Sequence, residues 1–506
     1  MNQEKLPQHD MWQEQLDSNG LSKWAAYLPS VSNYFSAFVG RQRAMQKHFV
    51  DPARIPINFE NGIEGLNWTN KNLGYFYYKP NLFSAGNANL DINKYDSKEL
   101  MLRDRDKKQS FVLADSGGFQ IAKGSWEADW KDINCPKAKE KREKVLSWME
   151  AYADYGIILD IPSWTCSSEK SRKATGINSI NDATVATLIN NEYFIKNRTG
   201  ECKLLNVLQG SNHTESDNWY GIMKKFCDPK QYSNHFDGWS FASQNAWEPH
   251  LALKRLVDCR FDGLLEPGVH DWVHFLGNSD LEWSLLLSDI QRSIRKYHNP
   301  KLTISYDCAT PFLTAGFGGI YYDTIGKDKD HWTFSVAKGI EGKKYSTDYR
   351  SLKEVGEQDG YYSKFEDSPI SARLKISDVC FHGPKSLNKS GKVSKNSWDS
   401  FSYALIQAHN VWEHIETIHC ANKKYDSGIF PAVMTTLTSN KKNGSILYYD
   451  KLFCSDIIDS IFQTSHYDEA MKLIDDYDRY WMCFRGRGKC GLKSKNSQTT
   501  FNKIFY

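Results

Sequence analysis

Four polar side chains stand where short apolar runs stop. Asp115 closes "SFVLAD" (110–115), Asp160 lies near the end of "GIILDI" (156–161), Gln209 near the end of "LLNVLQG" (204–210), and Asp307 closes "LTISYD" (302–307). A carboxylate at such a place would ordinarily leave for solvent. After Asp115, however, the chain reads Ser116, Gly117, Gly118, Phe119, a tight turn that can keep the carboxyl where the run ends. Glycine lets backbone approach a flat ligand closely. Partial desolvation and a second carboxylate nearby raise the pKa of one acid, which suits it to proton transfer near neutral pH. The third carboxyl and the amide supply hydrogen-bonding groups for a polar ligand.

The elements that must position these groups follow from the rhythm of the chain. Between about 55 and 320, short apolar runs alternate with longer amphipathic stretches such as "KEKREKVLSWMEAYADY" and "DLEWSLLLSDIQRSIRKY". Two further runs are "FDGWSFA" (236–242) and "WVHFLG" (272–277). Strands alternating with helices imply a parallel sheet in an α/β fold. At least six such units favour a closed (β/α)8 TIM-type barrel over an open sheet. In a barrel the C-terminal strand ends share one face, where active sites are built. Asp115, Asp160, Gln209 and Asp307 would then meet at one mouth.

Length and composition set the outer bounds. The chain has 506 residues, room for one large domain with additions. Its net charge is only +3, so any nucleic-acid face must be a local patch. With 16 Trp, 27 Tyr and 26 Phe, side chains that could stack on bases are plentiful, although a Tyr-rich core and surface would use them too. The 11 Cys are scattered without a C-x-x-C pair. The first residues are polar, and no apolar run reaches the roughly 18 residues needed to span a bilayer. A reduced, cytoplasmic protein without a disulfide framework and without membrane contact is expected.

The expected organisation has four parts. Residues 1–50 read as an N-terminal extension and 51–324 as the barrel. Residues 325–420 read as a charged insertion, a zinc-like subdomain and a closing helix, and 421–506 as a basic C-terminal extension. The last of these ends in "FRGRGKCGLKSKN", with Arg485, Arg487, Lys489, Lys493 and Lys495 and no acid.

Over residues 105–310, and more faintly to 415, the sequence resembles the tRNA-guanine transglycosylase superfamily. These are barrel enzymes that exchange a guanine in a nucleic acid for a 7-deazaguanine. The most specific element is "ADSGGFQ", matching the family's D-S-G-G-[FY]-Q in the same strand-to-turn context. Then follow, in family order, "ILDIP", "NVLQGS", "FDGWSFASQ", "HFLGNSDLEW" and "SYDCATPF". The resemblance implies that Asp307 is the nucleophile that traps C1′ and Asp115 the general acid and base. It implies that Asp160 and Gln209 read the guanine-like edge, with Ser116, Gly117, Gly118 and Gly210 lining the pocket. Phe119 and Leu276 match the apolar pair that sandwiches the ring. The family's Gly-Gly pair, whose amide meets the base, is here Ala242–Ser243, which narrows the pocket. No organic cofactor is implied.

Two departures refine this expectation. The family carries arginines after the nucleophile that read an anticodon, whereas "DCATPFLTAGFGG" has no basic residue. That favours the DpdA-like branch of phages and bacterial genomic islands, which places 7-deazaguanines such as 7-cyano-7-deazaguanine (preQ0) in DNA. The DNA would be held by Arg485, Arg487, Lys489 and Lys493 and by stacking, with the target base flipped out. The second departure concerns a structural Zn(2+). The family motif is C-x-C-x-x-C with a His about 25 residues later. Here Cys380, His382 and His409 fall near those ligands, with Asp378, His414 or Cys420 as a fourth. A tRNA enzyme with altered target choice, a non-catalytic nucleic-acid-binding barrel and a hydrolytic glycosylase are the competing readings. Accessory modification proteins or a homodimer remain open.

Overall fold

The computed structural model describes residues 8–44, 50–94, 96–328, 331–383, 387, 398–442 and 445–485. Its centre is an eight-stranded, all-parallel sheet nearly closed into a barrel. The strands are β1 (Ala26–Pro29), β2 (Pro80–Ser84), β3 (Phe111–Asp115), β4 (Tyr155–Ile157), β5 (Lys203–Leu208), β6 (Gly238–Phe241), β7 (Trp272–Phe275) and β8 (Thr303–Cys308). They pair in sequence order, and β8 returns to β1 with Asp307 opposite Leu28. Between β1 and β2 the seam carries a parallel bridge, Ser30 to Leu82, and Val31 N–H donates to Leu82 O at 2.9 Å.

The strands form where short, mostly apolar runs pair on both edges, and most of their residues are buried. Each of the six runs expected as strands contains one, although "GIILDI" (156–161) is strand only over Gly156 and Ile157. β1 was not expected. It lies inside residues 1–50, so the barrel begins before residue 51, and that stretch is only in part an extension. The helices α1 (Asn33–Ala44), α2 (Pro136–Tyr152), α3 (Ile180–Asn197), α4 (His213–Met223), α5 (Pro249–Phe261), α6 (Leu281–Tyr297) and α7 (Ser400–Asp426) flank the sheet. Each long helix starts on a local signal. Asp280 caps α6 by accepting from the Glu282 and Trp283 amides, Ser179 caps α3, and Pro136 opens α2.

Helix α6 is buried on nearly every side. Its outer face is covered by the helix Cys454–Gln463, whose Ile457, Ile458, Ile461 and Phe462 are buried. The C-terminal region is therefore packed onto the barrel. Its helices Cys454–Gln463 and Tyr467–Asp476 carry Asp456, Asp459, Asp468, Glu469, Asp475 and Asp476 against Lys472 alone, so this part is acidic. Arg487, Lys489, Lys493 and Lys495 lie outside the described residues, and Arg485 is the last residue described. The long helix α7 runs past residue 420 and completes the helical ring beside α6.

Inside the barrel, side chains at i and i+2 of a strand share a face. Phe111 of β3 stacks on Trp272 of β7, with centroids 4.5 Å apart, and Tyr155 of β4 lies 5.0 Å from Trp272. This aromatic layer is the floor. One step up, His274 meets Ser305, and a further step up stand Asp115 and Asp307. The lumen therefore changes from aromatic to ionisable over the length of one strand, and the mouth is polar where β2 and β3 end in Ser84 and Asp115 and β8 carries Asp307 near its end.

Candidate active site

Asp115 is the final residue of β3 and is held from the neighbouring strand. Ser84 ends β2 directly opposite it, and the Ser84 hydroxyl donates to Asp115 Oδ2 at 2.5 Å. The Gly117 amide adds a longer bond of 3.3 Å to the same oxygen. Burial raises the Asp115 pKa, the Asp307 charge adds to that, and Ser84 pulls against both.

The glycines after Asp115 are required by space. Gly117 has φ +86°, and a Cβ there would stand 2.7 Å from the Trp126 ring. A Cβ on Gly118 would lie 2.9 Å from Asp160 O and 3.2 Å from Asp160 Oδ1. The turn thus brings the backbone against the second carboxyl. Between them Ser116 is buried, and its Oγ has no hydrogen-bond partner among the described residues. A buried hydroxyl of this kind is costly to leave unpaired, and a bound polar ligand would satisfy it.

Asp160 follows β4 and is only 5 % exposed. Gln209 Nε2 donates to its Oδ2 at 2.7 Å. Burial pushes its pKa up to about 7, with the Asp115 charge adding to the rise. The Gln209 carbonyl oxygen accepts from the Ser243 hydroxyl and, at 3.4 Å, from Ser163. Both ends of the Gln209 amide are therefore fixed, and its second N–H remains to be used. Ser243 has φ +51°, the left-handed region, which is uncommon for a residue with a Cβ. The hydroxyl contact to Gln209 is what a glycine here would lose. Gly210 has φ +133°, and a Cβ would sit 2.6 Å from the Ser216 amide, so it lets α4 approach.

Asp307 stands one strand pair above the Ser305–His274 level and is 7 % exposed. Its Oδ1 accepts from the Gly277 amide at 2.8 Å and from His274 Nε2 at 3.3 Å. Leu276, half-buried, lies just past the end of β7, its amide tied to Phe241 O. Phe119 is 41 % exposed at the rim, 5.8 Å from the Trp164 ring, with Lys123 Nζ 5.4 Å from its centroid.

The structure thus brings Asp115, Ser116, Gly117, Gly118, Asp160, Gln209, Ser243, Leu276 and Asp307 to one mouth. No protein-family model matches the chain, and no curated protein does. The site therefore stands on its own geometry.

The residues expected to hold zinc are not gathered. His409 Nε2 donates to Tyr321 O at 2.8 Å, and its Nδ1 lies 2.7 Å from the Ser368 hydroxyl. Both ring nitrogens are thus engaged within the protein. Cys380 is buried with its Sγ 3.4 Å from Ile340 O, and His382 is exposed. Of the fourth-ligand candidates, Asp378 Oδ2 accepts from the Lys375 amide, and His414 stacks on Phe334. Among the described residues no three His, Cys, Asp or Glu groups converge as ligands. His409 as placed has no free lone pair for a zinc ion, because the imidazole nitrogen that zinc needs already accepts a hydrogen bond.

Ser84, Ser163, His274 and Ser305 were not expected from the sequence. His274 and Ser305 could have been found by counting back two residues on the inward face from the strand ends. Ser84 ends a run beginning with Pro80, which hides the strand.

Among the described residues no helix is long and apolar enough to cross a membrane.

Proposed function

We propose that this chain is a base-exchange transglycosylase that replaces guanine in DNA with a 7-deazaguanine through a glycosyl-aspartate intermediate. The observation that carries the reading is the pair Asp115 and Asp307 at one mouth in unlike surroundings. Asp307 accepts two hydrogen bonds on a single oxygen, while Asp115 has its pKa raised by burial and by Asp307 itself. Two carboxyls set apart in this way suit nucleophile and proton carrier at a glycosidic bond.

An Asp307 oxygen forms a bond to C1′ as the C1′–N9 bond breaks, and the electron pair leaves with the purine. Protonated Asp115 gives its proton to that purine. The incoming 7-deazaguanine loses a proton to Asp115, attacks C1′, and frees Asp307. Asp160 and Gln209, linked to each other, present acceptor and donor to the guanine-like edge. Ser116 Oγ is a further group for the base.

DNA is favoured over tRNA by "DCATPFLTAGFGG", which supplies no basic side chain after the nucleophile. Mass spectrometry of nucleosides from the DNA and tRNA of cells expressing the protein tests the reading. A 7-deazaguanine deoxynucleoside in the DNA supports it. Modification of tRNA alone would instead favour a tRNA enzyme with altered target choice, and modification of neither would remove the exchange reading.

A further inference from the structure

A chain of three hydrogen bonds runs up the lumen from the aromatic floor to Asp307. The Trp272 indole N–H donates to Ser305 Oγ at 2.7 Å. Ser305 Oγ lies 2.8 Å from His274 Nδ1, and His274 Nε2 lies 3.3 Å from Asp307 Oδ1. Ser305 and His274 are fully buried.

The directions follow from the donors present. An indole N–H can only donate, so Ser305 Oγ accepts from Trp272. A hydroxyl carries one proton. Among the described residues Ser305 Oγ has a single further partner, His274 Nδ1, so that proton points at Nδ1. An Nδ1 that accepts leaves the ring proton on Nε2, which then donates to Asp307 Oδ1. Gly277 N–H donates to the same oxygen. Oδ2 accepts no hydrogen bond among the described residues.

We propose that His274, held by Trp272 and Ser305 as its Nε2–H tautomer, is the positioning residue that fixes Asp307 Oδ1 and leaves Oδ2 as the attacking atom. This rests on Asp307 being the nucleophile of the proposed exchange. A carboxylate with one oxygen tied by two donors is restrained from rotating about its Cβ–Cγ bond, and its other oxygen keeps its lone pairs free of protein donors among the described residues. Such alignment lowers the entropy lost on reaching the transition state and leaves ground-state affinity for the base unchanged.

Two measurements test this. The first needs no activity: long-range 1H–15N correlation spectra of the full chain labelled with 15N-histidine, in which His274 is identified by the signal lost in His274→Gln. The Nε2–H pattern is expected, and Ser305→Ala should broaden or shift it. An Nδ1–H pattern or an imidazolium pattern at neutral pH would overturn the proposal. The second is kinetic. His274→Phe should lower kcat for exchange by about 100-fold with KM for the free base unchanged, and His274→Gln, whose amide can still donate to Oδ1, should recover at least about 10-fold of that loss. A His274→Phe protein with wild-type kcat overturns the proposal, as does a His274→Gln protein no better than His274→Phe. If wild type exchanges no base at all, the proposed function fails, while the tautomer result still decides whether this chain of bonds exists.

Discussion

Replacing Asp160 by Asn should stabilise the free protein at alkaline pH while weakening its hold on a base. Asp160 is buried, and its pKa is pushed up to about 7 from 3.8. A carboxyl whose folded pKa is raised favours the protonated form in the fold. Its burden on stability is absent below the unfolded pKa, grows as pH rises between the two values, and is constant above the folded one. With those two values the burden is close to nothing near pH 3, about 2 kcal/mol at pH 5 and about 4 kcal/mol at pH 8. An Asn cannot ionise, so this burden is removed. Its amide oxygen can keep the bond from Gln209 Nε2, while an unpaired N–H costs about 1–3 kcal/mol at every pH. The constant cost cancels when two pH values are compared. Urea unfolding of both proteins at pH 5 and pH 8 should show the variant's relative stability rising by about 2–3 kcal/mol between them. Parallel stability curves for the two proteins from pH 5 to 8 would refute the burial argument.

Three other substitutions have definite expectations. Gly118→Ala puts a Cβ 2.9 Å from Asp160 O, so it should lower stability by about 1–3 kcal/mol and raise KM for the base; wild-type KM would show that the turn does not border the pocket. In Ser243→Gly, relief of a left-handed backbone worth about 1 kcal/mol offsets a lost hydroxyl bond to Gln209 of similar size, so stability measured by urea unfolding should change by less than about 1 kcal/mol. That variant should accept bulkier 7-substituents, which a substrate series would reveal. Ser84→Ala removes the donor that holds the Asp115 pKa down, so that pKa should rise and the Asp115-dependent limb of the pH–rate profile should move to higher pH.

The barrel was legible because six strands announce themselves as apolar runs, four of them with polar ends, and their order fixes which ends share a face. β1 and β2 were not, and the reason is local. "AYLP" is four residues long, and "PNLFS" opens on a proline and holds an asparagine that bonds Trp68 across the wall. Both become strands by pairing with stronger neighbours, a tertiary effect that no window of sequence carries. The mouth residues were legible for the same reason as the strands. The residues beneath and beside them were not: His274 and Ser305 look like ordinary strand positions until the register sets them side by side. The zinc expectation rested on spacing alone, which placed His409 near a Cys, whereas the fold engages both of its ring nitrogens with Ser368 and Tyr321.

Whether Asp307 carries the sugar while one base replaces another is read most directly by exchange of radiolabelled guanine into duplex DNA and into unmodified tRNA, with wild type and Asp307→Asn side by side. Label should enter DNA with wild type, and the rate should fall by at least about 1,000-fold in the Asn variant, whose fold is checked by the same unfolding curve. Exchange at the wild-type rate by Asp307→Asn would contradict the assignment, and so would a folded wild-type protein that labels neither polymer.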